Sequence, residues 1–314
     1  MNIWPGVIPG LFYAQGCVRK LAALLHAPRA ASREDESFLL DYHAAETGKE
    51  METIKDILLE KIEDAELVLV GIGEEFEESV PKVEENPEFS DALRRMEEQE
   101  KDAWMYPYFK KAYLDRSKGD KTKEAYSILD NLLEGKNYFI VSTRTDDYIY
   151  KTKLSKERIV TPCGGYRFCR CAEGCNKQLY PADGQLSEKI YDFLLKKEYD
   201  KKIEQPVCPA CGKNLVFNLV GEDGYIEEGY LPQWNQYMKW LQGTVNKKLC
   251  VLELGVGMKY PTVIRWPFEK IVYFNQKANI FRVHSKLYQL TEEIKDRGYK
   301  IEKKPMDFLI NGFV

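Results

Sequence analysis

Apolar positions recur along this chain in two spacings, and their alternation predicts most of its elements. Ile54, Ile57, Leu58 and Ile62 follow the three- and four-residue intervals of one helical face, which predicts a helix over about 52–65. That pattern runs into Glu66-Leu-Val-Leu-Val-Gly-Ile72, whose continuous apolar run suits a strand buried on both faces of a parallel sheet. Tyr138-Phe-Ile-Val-Ser142 and Lys248-Leu-Cys-Val-Leu-Glu-Leu254 predict two more strands of this kind, and Ile280-Phe-Arg-Val-His284 a fourth. A long helical stretch, about 89–134, separates the first two strands, with breaks near Pro107 and at Ser117 to Asp120. Near the end, Leu290, Ile294 and the amphipathic stretch Met306 to Ile310 are expected to pack on the core.

Strands separated by helical segments predict an α/β fold, a Rossmann-like parallel sheet flanked by helices. Three strands finish in small or polar loops: Gly71-Ile72-Gly73, Thr143-Arg144-Thr145-Asp146-Asp147 and Gly255-Val256-Gly257. In open parallel sheets ligands bind outside the carboxyl ends of strands, so these loops are expected to wall one site, with His284 on the same rim. The alternation fails between Arg167 and Val220, where cysteine pairs and short strands surround one helix of about 186–199. This segment reads as an inserted zinc-binding module, 167–220, between core segments 51–166 and 221–314.

Composition changes the picture at the start. Residues 1–50 hold eight alanines and two lysines, whereas the other 264 residues hold nine alanines, so the composition breaks at Met51. Met51 is the expected start of the folded chain, and residues 1–50 a foreign or disordered extension. A secretory signal is disfavoured because no positively charged stretch precedes the apolar residues Ile3 to Phe12.

Charge and hydropathy narrow the partners. The 46 basic and 50 acidic residues are mixed along most of the chain, which leaves no basic footprint for nucleic acid. The acidic run Glu74 to Glu100 reads as a solvated helical face and loop. No stretch approaches the roughly 18 apolar residues of a membrane helix. Six of the eight cysteines fall between Cys163 and Cys211, which favours metal binding in a reducing cytoplasm over a disulfide scaffold.

Cys171 and Cys175 form one pair, and Cys208 and Cys211, followed by Gly212, the other. Each pair can turn two thiolates onto one tetrahedral ion, and four sulfur ligands leave no open position, which points to a structural zinc. Cys169 shares a strand face with Cys171 and leaves that corner of the site open to either residue.

The ordered set Gly71-Ile-Gly73, Ser142-Thr-Arg-Thr-Asp146, Cys163-Gly164, the cysteine pairs and Gly255-Val-Gly257 resembles the sirtuin family from about Met51 to the end. Within the family it is most similar to the microbial class M branch, above all in Val251-Leu-Glu-Leu-Gly-Val-Gly257 with Pro267-Phe268 downstream. The resemblance implies NAD bound at Gly71, Ile72, Gly73, Thr143, Asp146, Gly255, Val256, Gly257 and His284. It further implies transfer of acyl groups or ADP-ribose, with a lipoylated or acylated carrier protein and a macrodomain protein as partners.

Four residues, at three places, depart from the family pattern. Glu74 and Glu75 follow Gly73 where small or hydroxylated residues hold phosphates; a carboxylate there repels a diphosphate and can itself occupy the phosphate position. Arg144 replaces the Asn that contacts the reacting ribose, and a guanidinium opposes positive charge at that carbon but suits an anion. Cys163 stands where the family has its catalytic His, leaving Cys163, Asp146 and Arg144 as the candidate catalytic set. These residues allow three functions: an NAD-dependent transferase, an NAD or ADP-ribose binding protein without turnover, and a zinc-stabilised interaction scaffold whose site is filled by a Glu74–Arg144 ion pair.

Overall fold

The computed structural model describes residues 48–78, 82–199 and 201–313. The expected extension, residues 1–50, lies outside them except for Gly48 to Glu50, which open helix α1 (Gly48–Asp64). Strand β1 (Leu67–Ile72) follows, and all six of its residues are buried. The long helical stretch resolves into α2 (Ser90–Glu98), a 3-10 segment, α3 (Tyr106–Ser117) and α4 (Asp120–Leu133). The stretch breaks just before Pro107, which lies in the first turn of α3, where no amide is needed from it.

The main sheet is completed by β2 (Tyr138–Ser142) and β3 (Ile159–Val160), and later by β7 (Leu249–Leu254), β8 (Ala278–Val283) and β9 (Gly298–Ile301). Its order is β3-β2-β1-β7-β8-β9 and every pairing is parallel, so the strand sequence reverses direction between β1 and β7. That is the doubly wound arrangement, whose crevice opens at the reversal. Register makes the strands end level: Ile72 pairs with Ser142 and Leu254, and Leu254 with Val283.

Successive side chains of each strand serve opposite faces. Val68, Val70, Ile72, Leu252 and Leu254 pack with α1, α4 and α8 (Pro305–Phe313). Leu67, Leu69, Phe139 and Val251 meet α6 (Leu231–Gln242) and α7 (Arg265–Phe274) on the other face. The expected tail therefore packs on the core, with Met306, Phe308 and Leu309 buried.

A small antiparallel sheet, order β5-β4-β6, carries the inserted module: β4 (Gly164–Cys171), β5 (Tyr180–Pro181) and β6 (Leu215–Leu219). Helix α5 (Gly184–Leu195) is capped by Asp183, which accepts from Gln185 N at 2.8 Å. The acidic stretch is more than a solvated face, because Val83, Phe89, Ala92 and Met96 join α3, α5 and the small sheet in a third core.

Candidate functional site

The level strand ends place the glycine loops after β1 and β7 in direct contact. Gly73 N donates to Leu254 O at 2.9 Å, and Glu75 N to Gly255 O at 3.0 Å. A Cβ on Gly73 would lie 2.2 Å from Gly255 O, and Gly255 itself has a φ of 66°, so both positions require glycine. Ile72 and Val256 are buried beside them, whereas Gly71 serves packing, a Cβ there lying 2.5 Å from Ile264 Cγ2. Thr143 is buried and ties the β2 loop to β1 through its amide, 2.9 Å from Ile72 O.

Side chains from the first loop reach across the crevice. Glu74 Oε1 accepts from Lys259 N at 3.3 Å and sits where a Cβ on Gly257 would fall, 2.3 Å away. The Glu75 carboxylate accepts from Ser285 N at 2.8 Å and from the Ser285 hydroxyl. His284 lies just past the end of β8, and its Nδ1 accepts from Lys286 N and Leu287 N at 3.1 Å each. Burial lowers its pKa more than Glu75 raises it, so the 3.0 Å approach of Glu75 Oε2 to Nδ1 is not an ion pair at neutral pH.

Arg144 does not pair with the Glu74 side chain, as the scaffold reading expected. Its Nε donates to Asp146 Oδ2 at 2.7 Å, and its Nη1 reaches the main-chain oxygen of Glu74 at 3.0 Å and Glu77 Oε2 at 3.3 Å. Asp146, two residues away and buried with it, is the nearer partner, and Tyr148 N also donates to its Oδ1 at 2.9 Å. Burial works to raise the Asp146 pKa, but Arg144 and Lys118 outweigh it and hold the carboxyl below its usual range. Lys118 Nζ lies 3.5 Å from Asp146 Oδ1 and makes no hydrogen bond.

Asp147 is a site feature that sequence reasoning named only as Asp146's neighbour. It adopts left-handed backbone with φ 58°, and its Oδ2 accepts from Arg167 N at 2.8 Å. Burial pushes its carboxyl up to about 7 against the pull of Arg167. It lines a pocket of about 150 Å³ between the core and the inserted module, with Gly164, Arg167, Asn218 and Tyr225.

Cys163 is fully buried, and burial pushes its thiol up to about 12. Arg144 does not depress it, as the base or nucleophile reading required; its guanidinium is committed to Asp146, and the charges that act on Cys163 are Lys259 and Glu74. A thiol so buried stays protonated near neutral pH, which disfavours the base and nucleophile roles expected of it.

The four predicted ligands do converge. Cys171 and Cys211 Sγ lie 3.6 Å apart, Cys175 and Cys208 Sγ 3.7 Å, and all four sulfurs fall within 4.8 Å of one another. Sulfurs about 2.3 Å from a tetrahedral zinc are separated by about 3.8 Å, so the group fits such an ion. Cys169 is excluded from the corner it could have shared, because its sulfur faces Tyr108 Oη at 3.8 Å in the aromatic core.

A buried charge network missed in the sequence supports the rim. Glu253 and Arg282 are register partners on β7 and β8, fully buried, with Arg282 Nε 2.5 Å from Glu253 Oε2 and Nη1 2.6 Å from Glu269 Oε1. Arg265 donates to Val256 O at 3.0 Å and Leu287 O at 2.8 Å, fixing the loops after both strands. One charged residue inside each apolar run was the available signal.

No protein-family model matches the chain. It is 25% identical over 265 residues to a protein ADP-ribosyltransferase of Staphylococcus aureus, covering 77% of this chain and 81% of that one. A probable bifunctional ADP-ribose hydrolase/ADP-ribosyltransferase of Fusarium oxysporum is 27% identical over 143 residues, covering 44% of this chain and 24% of its own length. Among solved structures, Sir2Tm bound to a propionylated peptide aligns at TM-score 0.46 and 12% identity, over 82% of this chain and 95% of that one. A Sir2 mutant with a p53 peptide and NAD aligns at TM-score 0.48 and 13% identity, over 82% and 96%.

Proposed function

We propose that this sirtuin-like chain is an NAD-dependent, protein-modifying transferase of the ADP-ribosyl type, built on a zinc-stabilised Rossmann core. One observation carries the reading: the two contacting glycine loops lie at the reversal point of a doubly wound sheet, in a chain aligned with four-fifths of a protein ADP-ribosyltransferase. The nucleotide would lie along Gly73, Thr143 and the Gly255-Val256-Gly257 loop, near His284. The chemistry supplied there by bound NAD would be a ribose carbon made electrophilic by departure of nicotinamide. Asp146, held ionised in its buried pair, would orient nicotinamide by accepting from its carboxamide, and Arg144 would fix Asp146 in place. Four cysteinates at Cys171, Cys175, Cys208 and Cys211 would hold a structural zinc that joins the two ends of the module.

Acceptors of the class M kind, a lipoylated or acylated carrier protein and a macrodomain partner, belong to the same proposal, as does a cytoplasmic location. Incubating the zinc-loaded chain with adenine-labelled NAD and a lipoylated carrier protein tests it. Label retained on the carrier supports ADP-ribosyl transfer; label recovered as an acylated nucleotide indicates deacylation instead. No label transfer and no nicotinamide release would reject turnover. A second reading, a nucleotide-binding protein without turnover, is favoured by the closed, protonated Cys163 at the position of the family's base.

A further inference from the structure

Three donors that line the crevice are already satisfied from within the chain. Lys259 N is taken by Glu74 Oε1, and Ser285 N and Oγ by the Glu75 carboxylate. These three donors stand on the loops after β7 and β8, at the carboxyl ends of strands beside the reversal point, where open parallel sheets receive their ligands. The Glu74 carboxylate lies directly against Gly257, since a single added carbon at Gly257 would overlap it. Among the described residues neither acid has a Lys or Arg side chain as an ion-pair partner; their oxygens accept from main-chain amides and one hydroxyl, and His284 Nδ1 lies 3.0 Å from Glu75 Oε2.

We propose that Glu74 and Glu75 are built-in anions that fill the phosphate-receiving donors of this crevice, and that they set its selectivity against diphosphate ligands. The proposal deepens the nucleotide reading and rests on it only for the identity of the natural ligand. An incoming diphosphate competes with two tethered carboxylates for the same amides, and it meets like charge at hydrogen-bond range. Binding therefore requires both side chains to rotate out of the loops. The tether gives the internal anions a high local concentration, so free ligand must be abundant or otherwise anchored to displace them. A protein partner that engages the first loop would thus raise nucleotide affinity without touching the nucleotide.

The test compares inorganic pyrophosphate and ADP-ribose by calorimetric titration of the full zinc-loaded chain and of the Glu74→Ala/Glu75→Ala variant. A Glu74→Gln/Glu75→Gln variant, which keeps shape and removes charge, replaces the alanine pair if that pair fails to fold. The expected result is pyrophosphate binding about tenfold or more tighter in the variant, the direction set by removal of like charge and of the competing acceptors. Equal affinities, weaker binding in the variant, or no pyrophosphate binding by either protein would overturn the proposal. ADP-ribose separates the two ideas. If the variant binds pyrophosphate but not ADP-ribose, the internal anions stand and the nucleotide reading fails. If both proteins bind ADP-ribose equally and pyrophosphate equally, the nucleotide reading stands and the internal anions fail.

Discussion

Arg144 and Asp146 stand two residues apart on the loop leaving β2 and neutralise one another behind the rim, with Arg144 Nε 2.7 Å from Asp146 Oδ2 and side chains only 13% and 10% exposed. Breaking a buried pair from one side is costly because the other charge stays desolvated. Arg144→Ala is expected to lower stability by about 3 kcal/mol, the lower end for such pairs because Lys118 remains near Asp146. Urea denaturation measures it. Adding Asp146→Ala to that variant should cost less than the sum of the single changes, and strict additivity would contradict the pairing.

Loss of one zinc ligand should loosen the inserted module. Cys208→Ser leaves three thiolates where four converge, and the metal content should fall well below one per chain. A melting temperature lower by about 10 °C corresponds to a few kcal/mol for a domain of this size. Cys169→Ser, by contrast, should keep its metal, because that sulfur faces Tyr108.

Cys163 should behave as an inert thiol. With its pKa pushed up to about 12 by burial, the thiolate fraction at pH 8 is on the order of one in ten thousand. Alkylation followed by peptide mapping should find Cys163 unmodified in the native chain and modified only after denaturation. Rapid native labelling would restore it as a nucleophile.

Asp147 gives the stability a definite pH dependence. Its folded pKa of about 7 lies above the ordinary 3.8, so the folded state holds the proton more tightly than the unfolded one. The stability contribution of this group is therefore largest below pH 4 and is lost as pH rises through 7. Asp147→Asn should remove that decline, read as a flatter dependence of unfolding free energy between pH 4 and 7. A variant that keeps the same slope would assign the proton elsewhere.

The elements that sequence made legible are those with unambiguous periods. Val68 to Ile72, Tyr138 to Ser142 and Leu249 to Leu254 are fully apolar or nearly so, and they became the central strands. The short edge strands escaped notice: Ile159–Val160 is two residues long, and Gly298–Ile301 buries only its last residue. The cysteine site was legible because metal geometry constrains spacing, and the Cys169 ambiguity ended only when Tyr108 was seen against that sulfur. The partners of Glu74, Glu75 and Arg144 were not legible. They depend on which loop each side chain crosses, and residues 210 positions apart, such as Glu75 and Ser285, meet only through the sheet order.

A nucleotide-processing crevice at the reversal between β1 and β7 would reveal itself on titrating the zinc-loaded chain with NAD by calorimetry while assaying nicotinamide in the same samples. Saturable binding is expected, accompanied by nicotinamide release and abolished by Gly73→Leu, whose side chain would collide with Gly255 and Val256. Absence of binding at millimolar NAD, in a chain shown by its metal content and melting to be folded, would contradict it.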